Sequence, residues 1–267
     1  MSLRQPVRAV LSDALWWLVP AWLLLPFSWF LPMFDLTTPL AGAALFLSDS
    51  GKYGMPVVVA LGILVVVTRP GILGGQRARE TGAIAGTLFL FLGLGAVLNE
   101  YAVKPVLNTP RPNIAELAQR GLLPGSPEAF YSITDKAQRS EQLRRVLGAA
   151  QARLPMSPGV RAHWIEETGF SFPSGHSTAA MLVATFFFCM TALLVGRRRR
   201  VVLLAMLPWA LAVCYARPVL RVHRPIDITL GALQGILLGL VSFWCFLRLS
   251  GHTPRAELAS ATDHPSR

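Results

Sequence analysis

The chain has 267 residues, 53% of them hydrophobic and only 15% charged, with a mean hydropathy of +0.48. Those proportions exclude an ordinary soluble domain, because the apolar runs approach the roughly 20 residues that a bilayer-crossing helix needs. The net charge of +11 does not read as nucleic-acid binding, since its basic residues gather at the ends of the apolar runs, where the cytoplasmic bias toward Lys and Arg puts them.

In chain order, six runs are expected to span: residues 14–31, 55–68 with flanks, 83–103, 178–195, 201–215 and 228–247. Arg4 and Arg8 precede the first, and Arg69, Arg77 and Arg79 follow the second. Four arginines at 197–200 follow the fourth, and Arg248 and Arg255 follow the sixth. Placing these inside puts both termini in the cytoplasm and the loop after the first span, with Asp35 and Asp49 against Lys52, outside. The basic N-terminus followed by an apolar run resembles a signal peptide. Its length, and the odd number of spans its removal would leave, favour an uncleaved first helix. Trp16, Trp17 and Trp29 suit anchoring near the interfaces. Cys189, Cys214 and Cys245 lie within apolar runs and read as small buried hydrophobes, not as a disulfide framework.

The polar segment 113–171 separates the third and fourth spans. Its stretch 141–154 has a helical period. Ser157-Pro158 starts a second short helix that Gly169 ends. The expected fold is all-α: an integral membrane bundle of six transmembrane helices with a small helical insert on the outer face. The divisions are 1–112 (three spans), 113–171 (the insert), 172–249 (three spans) and 250–267 (a mobile cytoplasmic tail).

Three pieces of chemistry lie at span ends on that same outer side: Lys104-x6-Arg111-Pro112, Pro173-Ser174-Gly175-His176 and Arg217-x5-His223-x3-Asp227. Arg111 and Arg217 offer planar forks that match phosphate oxygens, and Lys104 offers a point charge. These cations break the positive-inside tendency, and an anion site accounts for the exception. Arg221 and Arg224 break it too, without a motif role. Ser174 and Gly175 stand where a helix begins, so their backbone N–H groups suit an anion. A carboxylate four residues from a histidine shares its helical face and fixes its tautomer. His223 is therefore expected as nucleophile, oriented by Asp227, with His176 as general acid and later base. Two His and one Asp also suit a metal, but three fixed cations around them oppose a divalent ion. His163 receives no role, and Glu166 and Glu167 read as solvating a helix.

The three motifs, in this order and at these spacings, resemble the signature of type 2 phosphatidic acid phosphatases. Phe130-Tyr131-Ser132 and the run from His163-Trp164 to Phe170 resemble the bacterial phosphatidylglycerophosphatase B branch of that family. The resemblance is best from the third span to the sixth. It implies a six-helix membrane core in the bacterial inner membrane, a periplasmic active site, and no metal or cofactor requirement. It implies phosphate contacts from Lys104, Arg111, Ser174, Gly175 and Arg217, acid duty for His176, and nucleophile duty for His223 with Asp227. The third motif usually opens Ser-Arg, whereas this chain has Ala216-Arg217, so one hydroxyl near phosphate is missing. Implied substrates are phosphatidylglycerol phosphate, undecaprenyl pyrophosphate and phosphatidic acid, met among membrane lipids. The alternatives are a lipid phosphotransferase with an undecaprenyl pyrophosphate donor and, further off, an anion or lipid transporter.

Overall fold

The structure is a computed structural model that describes residues 4–195 and 197–250; the tail read at 251–267 lies outside the described residues. All regular structure among the described residues is helical: α1 (Arg4–Leu23), α2 (Pro39–Ser50), α3 (Met55–Val67), α4 (Gly74–Leu98), α5 (Lys104–Leu107), α6 (Pro112–Gln119), α7 (Pro127–Ser132), α8 (Lys136–Ala149), α9 (Pro158–Glu166), α10 (Gly175–Leu194), α11 (Arg197–Leu204), α12 (Met206–Val219) and α13 (Pro225–Ser250).

Four stretches are long and apolar enough to cross a bilayer: Val10–Phe30, Gly74–Gln119, Arg200–Val219 and Pro225–Ser250. A fifth arises if α2 and α3, bent by 62° at their break, form one span. α10 adds a shorter apolar helix, Gly175–Thr191. The surface fits this reading, because Phe46, Val57, Leu64, Phe89, Leu90 and Val97 stand exposed on helix flanks. A soluble protein would hide such a large contiguous apolar surface. Trp16, Trp17 and Trp29 are likewise exposed. The protein is a multi-pass membrane protein.

α10 is the central helix. Every residue from 180 to 190 is buried, as a helix that is apolar all round requires. Phe186 meets Phe187, Phe243 and Phe246 edge to face. Three buried hydroxyls in the helices return to their own backbone: Thr191 donates to Phe188 O, Thr87 to Ala83 O and Ser242 to Gly239 O.

The most extensive helix pairing is α10 against α13. Its sequence cause is a stripe of Gly231, Gly235 and Gly239. A Cβ at these positions would stand 2.6 Å from Ser174 O, 2.4 Å from Thr178 O and 2.7 Å from Thr185 Cβ. Small residues four apart let two backbones touch where no hydrophobic drive exists between helices in lipid.

The segment before α3, expected as an outer loop, instead contains α2, which packs on α12 and α9. The polar segment holds four short helices, α6 to α9. They share a separate apolar cluster that includes Ile114, Leu117, Phe130, Leu143, Leu147 and Trp164 and reaches Leu220 and Val222 beyond α12. The expected helix at 141–154 begins earlier, at Lys136 with Asp135 as cap, and stops at Ala149. The start at Ser157-Pro158 is as read: Ser157 Oγ accepts from Val160 N.

Candidate active site

The site forms where α4 ends, α10 and α13 begin, and α12 ends. Pro105 shapes the first edge: it has no N–H and crowds the carbonyl four residues back. The helix responds with a π-helical turn over Asn99–Val103, a device common at functional sites. Asn108, left-handed at φ 44°, then stops it. The turn directs Asn99 inward, where its Oδ1 accepts from Gln234 Nε2 at 2.9 Å. Thr178 Oγ1 lies 3.2 Å from Gln234 Oε1 and donates to Ser174 O. This buried polar bridge fastens α4, α10 and α13 to one another just below the site.

α12 ends at Val219 with Leu220 as its cap, and Arg221 turns the chain in the left-handed region at φ 59°. Trp164 Nε1 caps that end by donating to Leu220 O at 2.8 Å. Arg221 binds Glu116 Oε1 at 2.9 Å and the carbonyl of Phe34, so it braces this turn against α6 and the segment before α2. His223 falls in the turn before α13, not on the helix as its spacing suggested, while Asp227 sits in the first helical turn.

Glu167 organises the cluster. Its Oε2 lies 2.7 Å from Arg111 Nη2 and its Oε1 3.4 Å from Arg217 Nη2. Burial alone would raise its pKa, but the guanidinium charges of Arg111 and then Arg217 outweigh burial and hold it well below the usual carboxylate range. One carboxylate thus faces two guanidiniums, leaving one positive charge over. Arg111 is further fixed by donating Nε–H to Gly169 O at 2.8 Å. Arg217, wholly buried, reaches Ser48 Oγ and lies 3.1 Å from His163 Nε2. Burial and the Arg217 charge push the His163 pKa down to about 3, so His163 is a neutral acceptor for Arg217. The Nε of Arg217 is buried without a hydrogen-bond partner.

His223 Nε2 lies 3.3 Å from Arg111 Nη1. Its Nδ1 stands 3.6 Å from Asp227 Oδ2 and 3.4 Å from Ser171 Oγ. Ser171 donates to Asp227 Oδ2, which also accepts from Arg224 N at 2.7 Å. Burial, then Arg111 and Arg217, push the His223 pKa well below its usual value, leaving a neutral imidazole at neutral pH.

The second motif joins through Ser174, which caps α10. Its N–H donates to Asp227 O at 3.0 Å, so that amide, expected to face an anion, is engaged within the protein. His176 Nε2 is buried without a partner. The charges of Arg217, Glu167, His163 and Arg111 all act on His176, as those of Arg111 and Glu167 act on Lys104. Lys104 itself is paired with Glu100 Oε2 at 2.9 Å.

A cleft of about 430 Å³ reaches Lys104 and His176; Arg111, Arg217, Glu167 and His223 do not line it. Lys52, Glu100, Lys104, Gly175 and His176 line its polar end; Phe91, Leu92, Ala96, Ala179 and Leu182 line the rest. Its walls are α4 and α10, and Ala96 is exposed on the outside. His223 borders a different cavity of about 440 Å³, together with Trp29, Pro112 and Arg224. Among the described residues no three His, Cys, Asp or Glu side chains converge as metal ligands do.

The sequence reading missed Glu167, His163, Ser48, Ser171 and Glu100. Glu166 and Glu167 look alike in sequence; only burial separates them, with side chains 56% and 11% exposed. Glu166 does lie on the solvated rim, near Lys52 and Tyr53.

Residues 84–250, which hold all three motifs and more than half of the chain, match the model of the PAP2 superfamily. The chain belongs to the PAP2 superfamily. It is similar to phosphatidylglycerophosphatase B of Escherichia coli K12, 33% identical over 156 residues, which are 58% of each chain. It is also similar to phosphatidylglycerophosphatase B of Haemophilus influenzae, 27% identical over 201 residues, 74% of this chain and 69% of the relative. This PAP2 chain thus spans about three fifths of the Escherichia coli relative's length.

Proposed function

We propose that this PAP2 protein is a membrane lipid phosphatase that removes a terminal phosphate through a phosphohistidine, without a metal. One observation carries the reading: two buried guanidiniums converge on a single anionic side chain beside His223, and their charges act on His176, which lines an apolar-walled cleft. The Glu167 carboxylate marks where negative charge is stabilised, and a substrate phosphate takes over its two guanidiniums on binding.

In the first step the Nε2 lone pair of His223 attacks phosphorus. The phosphorus–ester oxygen bond breaks, its electron pair stays on the leaving oxygen, and His176 gives that oxygen a proton. Asp227 and Ser171 hold Nδ1 and so keep Nε2 free to attack. Arg111 and Arg217 stabilise the charge spread over the equatorial oxygens in flight. In the second step water attacks phosphorus and gives its proton to His176. The phosphorus–nitrogen bond breaks, its pair returns to His223, and phosphate leaves. An arriving phosphate dianion favours protonated His176, as an opposite charge does for any imidazole.

The topology belongs to the same proposal. Six spans are reached if α2 with α3 supplies the second and α10 the fourth. Both termini then face the cytoplasm of a bacterial inner membrane, while the α6–α9 layer and the site face the periplasm. Lipid tails remain between α4 and α10, and only the head group reaches the cations. Phosphatidylglycerol phosphate, phosphatidic acid and undecaprenyl pyrophosphate all meet these demands.

Incubation with a lipid carrying labelled terminal phosphate, quenched within a turnover, should leave acid-labile label on His223. His223→Ala should carry no label and turn over at least about 10⁴-fold more slowly. Phosphate release should survive a strong chelator. Unchanged turnover in His223→Ala, or chelator loss restored by zinc, overturns the mechanism.

A further inference from the structure

The group beyond the leaving oxygen has a defined environment, and it contains a carboxylate. His176, the proton donor to that oxygen, lines the cleft together with Lys104 and Glu100. Whatever is bonded to the departing oxygen must therefore extend past these two side chains. In an alkyl monophosphate the next atom is carbon. In a pyrophosphate it is a second phosphoryl group carrying negative charge.

Glu100 is held there by both of its oxygens. Oε2 accepts from Lys104 Nζ at 2.9 Å, and Oε1 accepts from Lys136 at the start of α8. The carboxylate side chain is 31% exposed, whereas Lys136 is mostly exposed, so the lysine reaches down from the short-helix layer to the cleft mouth. The trio sums to one positive charge, not two. A second phosphoryl group in this place meets a fixed like charge and a lysine already engaged by it. Like charges brought together are a standard means of rejecting a wrong partner.

We propose that Glu100 is a specificity-determining residue that makes the protein favour lipid monophosphates over lipid pyrophosphates. The inference rests on the phosphatase reading and narrows its substrate class. Lys136 is its counterweight: it draws one carboxylate oxygen away from Lys104 and moderates the rejection.

The test compares dodecyl phosphate with dodecyl pyrophosphate, which differ only by the second phosphate, using the full chain in detergent micelles. Wild type should favour the monophosphate in kcat/KM. Glu100→Gln should raise the pyrophosphate-to-monophosphate ratio about tenfold, the scale of removing one like charge at short range. Lys136→Met, at an exposed position, should lower that ratio. A wild-type preference for pyrophosphate, or a Glu100→Gln ratio that stays put or falls while the monophosphate is still cleaved, overturns the selector alone. Wild type that cleaves neither compound overturns the phosphatase reading and the selector with it.

Discussion

At one end of α4, Arg69 and Glu80 close on each other in a two-pronged pair, with Nη2 donating to Oε1 at 2.7 Å and Nη1 also reaching Val66 O. About 30 Å further along the helix axis, past its other end, Glu167 is shared by Arg111 and Arg217. Both clusters are buried arginine–glutamate contacts. In the first, the two carboxylate oxygens each take a nitrogen of one guanidinium, with Gln76 adding a bond to Oε1 at 2.9 Å. The second holds two cations per carboxylate, keeps Arg217 Nε unpartnered, and adjoins two histidines. The first joins residues on either side of the α3–α4 turn; the second, in the proposed mechanism, gives its guanidiniums to a phosphate.

Breaking each cluster at its carboxylate sharpens the contrast. Glu80→Gln should lose about 3–5 kcal/mol of stability, since it removes one partner of a buried ion pair, while kcat/KM of the protein that remains folded is unchanged. Thermal melts read beside initial rates decide this; a catalytic defect without a melting shift would erase the distinction. Glu167→Gln should instead expose two guanidiniums to competing anions and tighten inhibition by inorganic phosphate about tenfold. An unaltered inhibition constant would mean that the carboxylate does not stand in a phosphate's place.

The smallest effect concerns the acceptor behind Arg217. Because the His163 pKa falls from 6.5 to about 3 on folding, the unfolded chain binds the proton more readily. Its contribution to stability is complete above pH 6.5 and shrinks as pH falls from there toward 3. His163→Gln should flatten part of the acid-side decline in melting temperature. An identical slope in the variant would place the loss on other groups.

The sequence made some of this legible and hid the rest for physical reasons. The apolar runs that became α1, α4, α10, α12 and α13 stand out because lipid forces long unbroken hydrophobic stretches. α2 escaped notice because Ser48, Asp49 and Ser50 give its end the look of a loop; burial against α12 makes it a helix. Motif spacing brought Arg111, Arg217, His176 and His223 into one cluster. It could not show that His223 precedes its helix, since a four-residue step looks the same across a turn boundary. Ser48 and Ser171 carry no pattern at all; Ser48 acts through a long-range bond to Arg217, and Ser171 through contacts with Asp227 and His223. The glycine stripe of α13 went unread, because nothing in the sequence names the helix it faces.

That stripe has a catalytic consequence. The helix that carries His176 and the one that follows His223 are spaced by bare backbone, down to Gly231 against Ser174. In the proposed mechanism the alignment of donor and attacker is thus gauged along this helix contact, by the absence of three methyl groups. A substitution at Gly239, two turns below the one facing Ser174, should detune in-line attack while leaving a well-assembled membrane protein behind.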